Sequence, residues 1–148
     1  MKILLLSGGD GKRLWPLSNN SNAKQFIRLL PSVDGTKQSM LERVYNQLKK
    51  HDLDTHAFIT TNIQQKDCVI HQIGTDTNII SEPSRRDTFP AIVLGASYLN
   101  EQQVNPDETV LVMPVDAYVD LRFFEYFPQL DEAVQANDDA LHLVGVTP

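Results

Sequence analysis

The chain has one cysteine, Cys68, among 148 residues, so no internal disulfide is available and nothing points to an oxidising compartment. It has no excess of positive charge: 13 lysines and arginines face 19 aspartates and glutamates, a formal charge of -6. Such a balance gives no broad footprint for nucleic acid or an anionic membrane, so an anionic ligand must be met by a local cation cluster. Long apolar runs are missing too. The run from Ile3 to Leu6 stops at Ser7-Gly8-Gly9, too short for a signal-peptide core or a membrane span. The four histidines, His51, His56, His71 and His142, lack ligand spacing for zinc. Repeats and low-complexity tracts are absent. The composition is 41% hydrophobic and 22% charged, in about one domain's length, and reads as a soluble cytoplasmic domain with a real core.

Within that frame, short apolar runs alternate with helical patterns. Lys2 to Leu6, Ala57 to Thr60, Asn78 to Ser81, Thr109 to Met113 and Leu141 to Val146 read as strands. Ser39 with Glu42 forms a capping-box pattern ahead of Met40, Leu41, Val44 and Leu48. Asn62 and Gln65 offer a second start, with Ile63, Val69, Ile70 and Ile73 on the buried face and Gly74 as the stop. Thr88 is expected to cap a third helix whose buried face is Phe89, Ile92, Val93, Ala96 and Leu99. Asp120 caps a further helical stretch that Pro128 must break or restart. Residues 7 to 38 carry Pro16, Pro31 and Gly35 and read as a long functional loop. The alternation predicts an α/β fold with a doubly wound, mainly parallel, Rossmann-like sheet, whose ligands sit beyond the carboxyl ends of the strands.

Three segments follow such ends. After the first strand, Gly8, Gly9 and Gly11 let the backbone turn tightly toward an anion, and Lys12 and Arg13 set cations beside it. The segment fails the P-loop template and the dinucleotide fingerprint, so a plain flexible turn stays open as the alternative. Lys24, on the same loop, can share a triphosphate's charge with Arg13, although alone it reads as a surface lysine. After the third strand, Glu82, Pro83, Arg86, Asp87 and Thr88 lead into a helix N-terminus, where polar groups can read a base or ribose or merely cap the helix. After the fourth, Asp116 stands where one carboxylate plus phosphate oxygens would hold Mg²⁺, with a turn-forming role equally open. The sequon Asn19-Asn20-Ser21 reads as accidental without a secretory signal.

Together these blocks resemble the bacterial mannose-1-phosphate guanylyltransferases of the sugar-nucleotidyltransferase family. The likeness is carried by LSGGDGKRLWPLS at 6 to 18, KQF at 24 to 26, EPSRRDTFPAI at 82 to 92, VMPVD at 112 to 116 and the final GVTP. It implies a nucleotide-diphospho-sugar transferase fold, GTP and mannose 1-phosphate as substrates, GDP-mannose and pyrophosphate as products, and Mg²⁺ as cofactor. On that likeness Gly8, Gly9 and Gly11 cradle phosphates, Arg13 and Lys24 stabilise shifting charge, and Asp116 holds Mg²⁺. The chain departs from the family pattern at Lys12, Ala23, Arg85, Asp87, Phe89 and Ala117. It also stops directly after a strand, and the resemblance implies that the sugar pocket and a second metal carboxylate lie beyond residue 148. Residues 1–148 are thus expected to be the nucleotide-binding part of a longer domain. A non-catalytic nucleotide-binding or regulatory module on the same fold, or a nucleotidyltransferase for another base or sugar, is the competing reading.

Overall fold

The structure, a computed structural model, describes residues 1–9, 16–18, 23–137 and 141–145. Strand β1 (Lys2–Leu6) is followed by a 3-10 turn at Lys24–Phe26 and by a short antiparallel pair, β2 (Leu30–Pro31) and β3 (Lys37–Gln38). Then come α1 (Met40–Lys50), β4 (Ala57–Asn62), α2 (Lys66–Ile73), β5 (Asn78–Glu82), α3 (Thr88–Glu101), β6 (Val110–Pro114) and α4 (Phe127–Gln135). The four longer strands form one parallel sheet in the order β5-β4-β1-β6. Counted by succession in the chain, that order is 3-2-1-4, half of a doubly wound sheet.

β1 sits inside the sheet because its apolar residues can be buried on both faces, as parallel strands under helices require. Ile3 and Leu5 join one core with Leu41, Val44 and Leu48 of α1 and Val69 of α2. Leu4 faces the other way and packs with Phe58, Ile80 and Leu99. Helix α1 starts at the expected capping box, with Ser39 and Glu42 bonded reciprocally. Asn62 caps a 3-10 turn that runs into α2, and Gly74 ends that helix at φ 121°. Asp120 accepts from the Arg122 N–H to start a 3-10 stretch, and Pro128 restarts the chain as α4 from its first turn.

Four expectations need correction. Part of the presumed loop is a hairpin: Asp34-Gly35 turns the chain between β2 and β3, with Gly35 at φ 81° and Asp34 Oδ1 accepting from Thr36. Ile63 points outward, 56% exposed, because the 3-10 start rotates it off the face that carries Val69. The buried side of α3 is Ala91, Gly95 and Leu99, while Phe89 and Val93 are exposed. A Cβ on Gly95 would collide with Leu4, so the helix seats close to the sheet at Gly95, with Leu99 buried and Leu94 and Tyr98 packed beside it. Leu141 to Gly145 pairs with no described strand, and Leu141, Leu143 and Val144 are exposed. A strand needs a hydrogen-bonded neighbour and a buried face, and this run has neither among the described residues.

Candidate active site

Chain order reverses between β1 and β6, the position at which open α/β sheets bind ligands. A cavity of about 440 Å³ opens there. Ser7, Gly8 and Gly9 enter it from β1, Lys24 and Gln25 from the 3-10 turn, and Asp116 from the end of β6. Glu82, Arg85, Asp87 and Thr88 close it from the β5 side. The turn after β1, Lys24, the segment after β5 and Asp116 therefore meet in one place. Pro83 and Arg86 do not reach it. Both are exposed, and Arg86 Nε donates to Ser84 Oγ at 3.4 Å. Gly11, Lys12 and Arg13 lie outside the described residues, as do Asn19, Asn20 and Ser21.

The glycine turn rests on buried amides. Gln25, 2% exposed, donates through Nε2 to Ser7 O at 2.8 Å and to Gly9 O at 2.9 Å. Gln65 Nε2 donates to Gly9 O at 3.3 Å, and Thr61 Oγ1 to Ser7 O at the same distance. The turn's carbonyls are thus drawn inward, which suits a loop that is to face an anion. Sequence reasoning singles out Lys24 and reads Gln65 only as part of a helix start and Gln25 only as part of the KQF block, since nothing about a glutamine between a lysine and a phenylalanine marks it as buried. The 3-10 turn itself is tied down by Gln72, whose Nε2 donates to Phe26 O at 2.8 Å while Ser39 Oγ donates to Gln72 Oε1.

Two kinds of charge line the cavity. Lys24 Nζ donates to Asp116 Oδ2, with both side chains partly exposed. Glu82, by contrast, is 6% exposed at the end of β5. Burial pushes its carboxyl above the ordinary glutamate range, and the neighbouring Arg85 guanidinium pulls it partly back. A Cβ on Gly8 would lie 2.7 Å from Glu82 Oε1, so the first glycine is needed for this close approach. Asp87 has φ 71° and ψ -170°, a region that glycine alone enters freely. Its side chain accepts from the Thr88 N–H at 3.1 Å. Asp87 is therefore the cap of α3, and Thr88, the expected cap, is the first helical residue, because the strained backbone at 87 aims the carboxylate at that N–H.

Among the described residues no three His, Cys, Asp or Glu side chains gather into a metal cluster. Asp116 nevertheless already holds a cation, the Lys24 ammonium, and one carboxylate completed by ligand phosphate oxygens is a normal Mg²⁺ arrangement. The residues present fit that ion. No helix among the described residues is long and apolar enough to cross a membrane.

Sheet order and the loops gathered at its reversal point define a Rossmann-like α/β domain of the nucleotide-diphospho-sugar transferase type. The chain belongs to the nucleotidyl transferase family, whose pattern matches residues 2–148. It is 35% identical over 116 residues to a mannose-1-phosphate guanylyltransferase of Escherichia coli, a match covering 76% of this chain and 24% of the relative. A second protein of that name from Escherichia coli is 30% identical over 155 residues, covering 98% of this chain and 30% of the relative. Among solved structures, a mannose-1-phosphate geranyltransferase from Thermus thermophilus superposes with a TM-score of 0.73 at 28% identity. That superposition covers 89% of this chain and 37% of the other. The chain spans about a quarter to a third of the length of the two curated relatives.

Proposed function

We propose that residues 1–148 are the nucleotide-binding part of a nucleotidyltransferase that joins mannose 1-phosphate to GTP and releases pyrophosphate. The observation that carries this reading is the cavity in which the glycine turn, the Lys24–Asp116 pair and the buried Glu82 carboxylate converge. In the reaction a phosphate oxygen of the sugar 1-phosphate attacks the α-phosphorus of GTP. A new P–O bond forms there, the bond to the bridging oxygen of the β-phosphate breaks, and pyrophosphate leaves with the electron pair. Such a transfer asks the protein for positioning and charge stabilisation more than for covalent help. Gly8 and Gly9 receive the phosphates, and Lys24 stabilises the charge that moves toward the leaving pyrophosphate. By the resemblance, Gly11, Lys12 and Arg13 belong to the same phosphate-binding block, and Arg13 would share the charge-stabilising role of Lys24. Asp116 would hold Mg²⁺, which when bound offsets the negative charge of the phosphate oxygens.

The β5 side supports guanine as the base. An ionised carboxylate only accepts hydrogen bonds, and the guanine edge alone among the common bases offers two adjacent donors, N1–H and N2–H₂. Glu82 supplies such an acceptor in a desolvated wall, with Asp87 and Thr88 beside it. The names of the relatives support the same base and add mannose as the sugar. Calorimetric titration of the chain with GTP, ATP, UTP, CTP and dTTP, each with Mg²⁺, tests the reading. Preference for GTP is the expected result. Preference for another base would keep the reaction class and move the substrate, and a folded chain that binds none would overturn the assignment.

A further inference from the structure

Asp116 stands on a short span with an anchor at each end. Just before it, the buried Val115 donates its N–H to Leu6 O at 3.2 Å, fixing the chain to the end of β1. Three residues after it, Val119 O accepts from Arg43 Nη2 and from Gln47 Nε2, the latter at 3.3 Å. The Arg43 guanidinium also lies over the Tyr118 ring, 4.1 Å from its centroid. One α1 side chain therefore grips both residues 118 and 119, using donor and flat face together as only arginine can. Ala117 between the anchors has no polar side chain with which to hold the turn by itself.

The same helix supports the lysine opposite. The segment after the Lys24 turn is clamped to α1 by Arg28 Nε, which donates to both Glu42 oxygens at 3.0 and 3.1 Å. Arg28 and the bonds among Glu42, Ser39, Gln72 and Phe26 O hold the lysine side. On the aspartate side, among the described residues, the polar side chains on the 118–119 stretch are Arg43 and Gln47, and Val119 itself packs against the core.

We infer that Arg43 is a positioning residue, which sets the Asp116 carboxylate at the distance from Lys24 and the glycine turn that a metal–triphosphate complex needs. This rests on the assignment of Asp116 as the metal-holding carboxylate. Arg43 touches no ligand in this scheme; it acts through the backbone of residues 118 and 119. Its loss leaves the glycine turn and Glu82 in place and loosens the metal side only.

The test uses Mn²⁺, an oxygen-seeking ion with an electron paramagnetic resonance signal, as the probe. Affinities for Mn²⁺–GTP and for GTP in chelator are measured on the wild-type chain, Arg43→Ala, Arg43→Lys, Asp116→Asn and the double variant Arg43→Ala with Asp116→Asn. Arg43→Ala is expected to weaken Mn²⁺–GTP about tenfold, the worth of one hydrogen bond from a charged donor, and to leave metal-free GTP within about twofold. Arg43→Lys, which keeps a charged donor without the flat stacking face, should recover part of the loss. The double variant should bind Mn²⁺–GTP no worse than Asp116→Asn alone, since two residues acting through one contact do not add. Equal losses with and without metal, or additive losses in the double variant, would overturn the inference and leave Arg43 a general structural residue. A wild-type chain that binds GTP equally with and without Mn²⁺ would overturn the metal role of Asp116 and this inference with it. Failure of the wild type to bind GTP in either condition overturns the proposed function as well, a result distinct from any difference among the Arg43 variants.

Discussion

On the β6 side of the cavity the charges are paired and partly in water; on the β5 side a carboxylate is buried. The two sides lie three strand spacings apart, roughly 14 Å. An ion pair as exposed as Lys24–Asp116 contributes little to stability, so its members can exchange partners at small cost. Glu82 is the opposite case. It has already lost most of its water, and a ligand that brings two donors gains an interaction without first stripping that water away. A triphosphate with its metal needs groups that can be released to it. A base needs groups already fixed in a shape it can match. On the proposed function, this difference in burial fits the triphosphate end of the nucleotide on the β6 side and the base on the β5 side.

The heaviest blow to the β6 side is Lys24→Ala. On the proposed function, turnover of a chain that contains residues 1–148 and catalyses the transfer should fall by about a hundredfold or more, as for other groups that meet charge developing in a transition state. The melting temperature should hardly move, because the pair it breaks is partly exposed. Pyrophosphate release measured beside thermal unfolding separates the two effects, and unchanged turnover would remove Lys24 from the chemistry.

The β6 side was also the more legible in the sequence. Glycines, a lysine and an aspartate after apolar runs stand out by residue type, each with a plain structural alternative, and the topology brings Gly8, Gly9, Lys24 and Asp116 to one cavity. The β5 side depends on environment. That Glu82 is buried, that Gly8 makes room for it, and that Asp87 bends the backbone at φ 71° follow from how β5, β1 and α3 meet. No residue type announces these facts. The misread face of α3 has the same origin. Apolar periodicity favours Phe89 and Val93, whereas close packing on Leu4 requires a glycine at 95 and turns the face with Ala91 and Leu99 inward. The spacing of small residues at 91 and 95 with Leu99 was the available signal, and it is quieter than a run of large apolar ones. Caps were easier. Ser39, Asn62 and Asp120 act through their immediate neighbours, so local sequence contains the whole interaction.

Gly8→Ala should damage the β5 side from the β1 turn. Its methyl would stand 2.7 Å from Glu82 Oε1 and must push that carboxylate aside. GTP affinity should drop by about tenfold, the value of a hydrogen bond to a charged acceptor. Inorganic triphosphate should also lose affinity, since Gly8 belongs to the phosphate turn, but GTP should lose more by the share that Glu82 contributes to the base, and equal losses for both ligands would remove Glu82 from base binding.

Glu82→Gln sharpens the distinction chemically. An amide presents one donor and one acceptor, a match for the N3–H and carbonyl of uracil, so the preference for GTP over UTP should narrow by several-fold, at most about tenfold. The pH dependence adds a second readout. Because burial raises its pKa in the folded chain, Glu82 binds its proton more tightly folded than unfolded. Its contribution to stability is then full below the ordinary glutamate range and is lost as the pH rises through the raised value. GTP affinity should run the other way, increasing over that window as the carboxylate ionises and becomes a pure acceptor. Glu82→Gln should flatten both curves, which unfolding and binding isotherms at stepped pH would read directly. Parallel rather than opposed trends in the wild type would exclude Glu82 as the reader of the base.

The smallest change concerns the backbone of the same wall. Asp87→Gly should relax a conformation that costs a non-glycine residue about 1–3 kcal/mol, while loss of the cap in exchange for glycine costs only a few tenths. The first turn of α3 also loses a favourable negative charge worth about 0.3–1 kcal/mol. The expected net is a gain of about 1 kcal/mol in stability, seen as a higher denaturant midpoint with an unchanged slope. GTP affinity should fall less than in Glu82→Gln, because Asp87 already spends one carboxylate oxygen on the Thr88 N–H. A destabilised variant would mean that this hydrogen bond outweighs the backbone strain, and that the β5 wall is shaped by the cap of α3. A stabilised variant with weaker GTP binding would show that the strain is retained for the ligand, extending the division between an exchangeable side and a fixed one to the main chain.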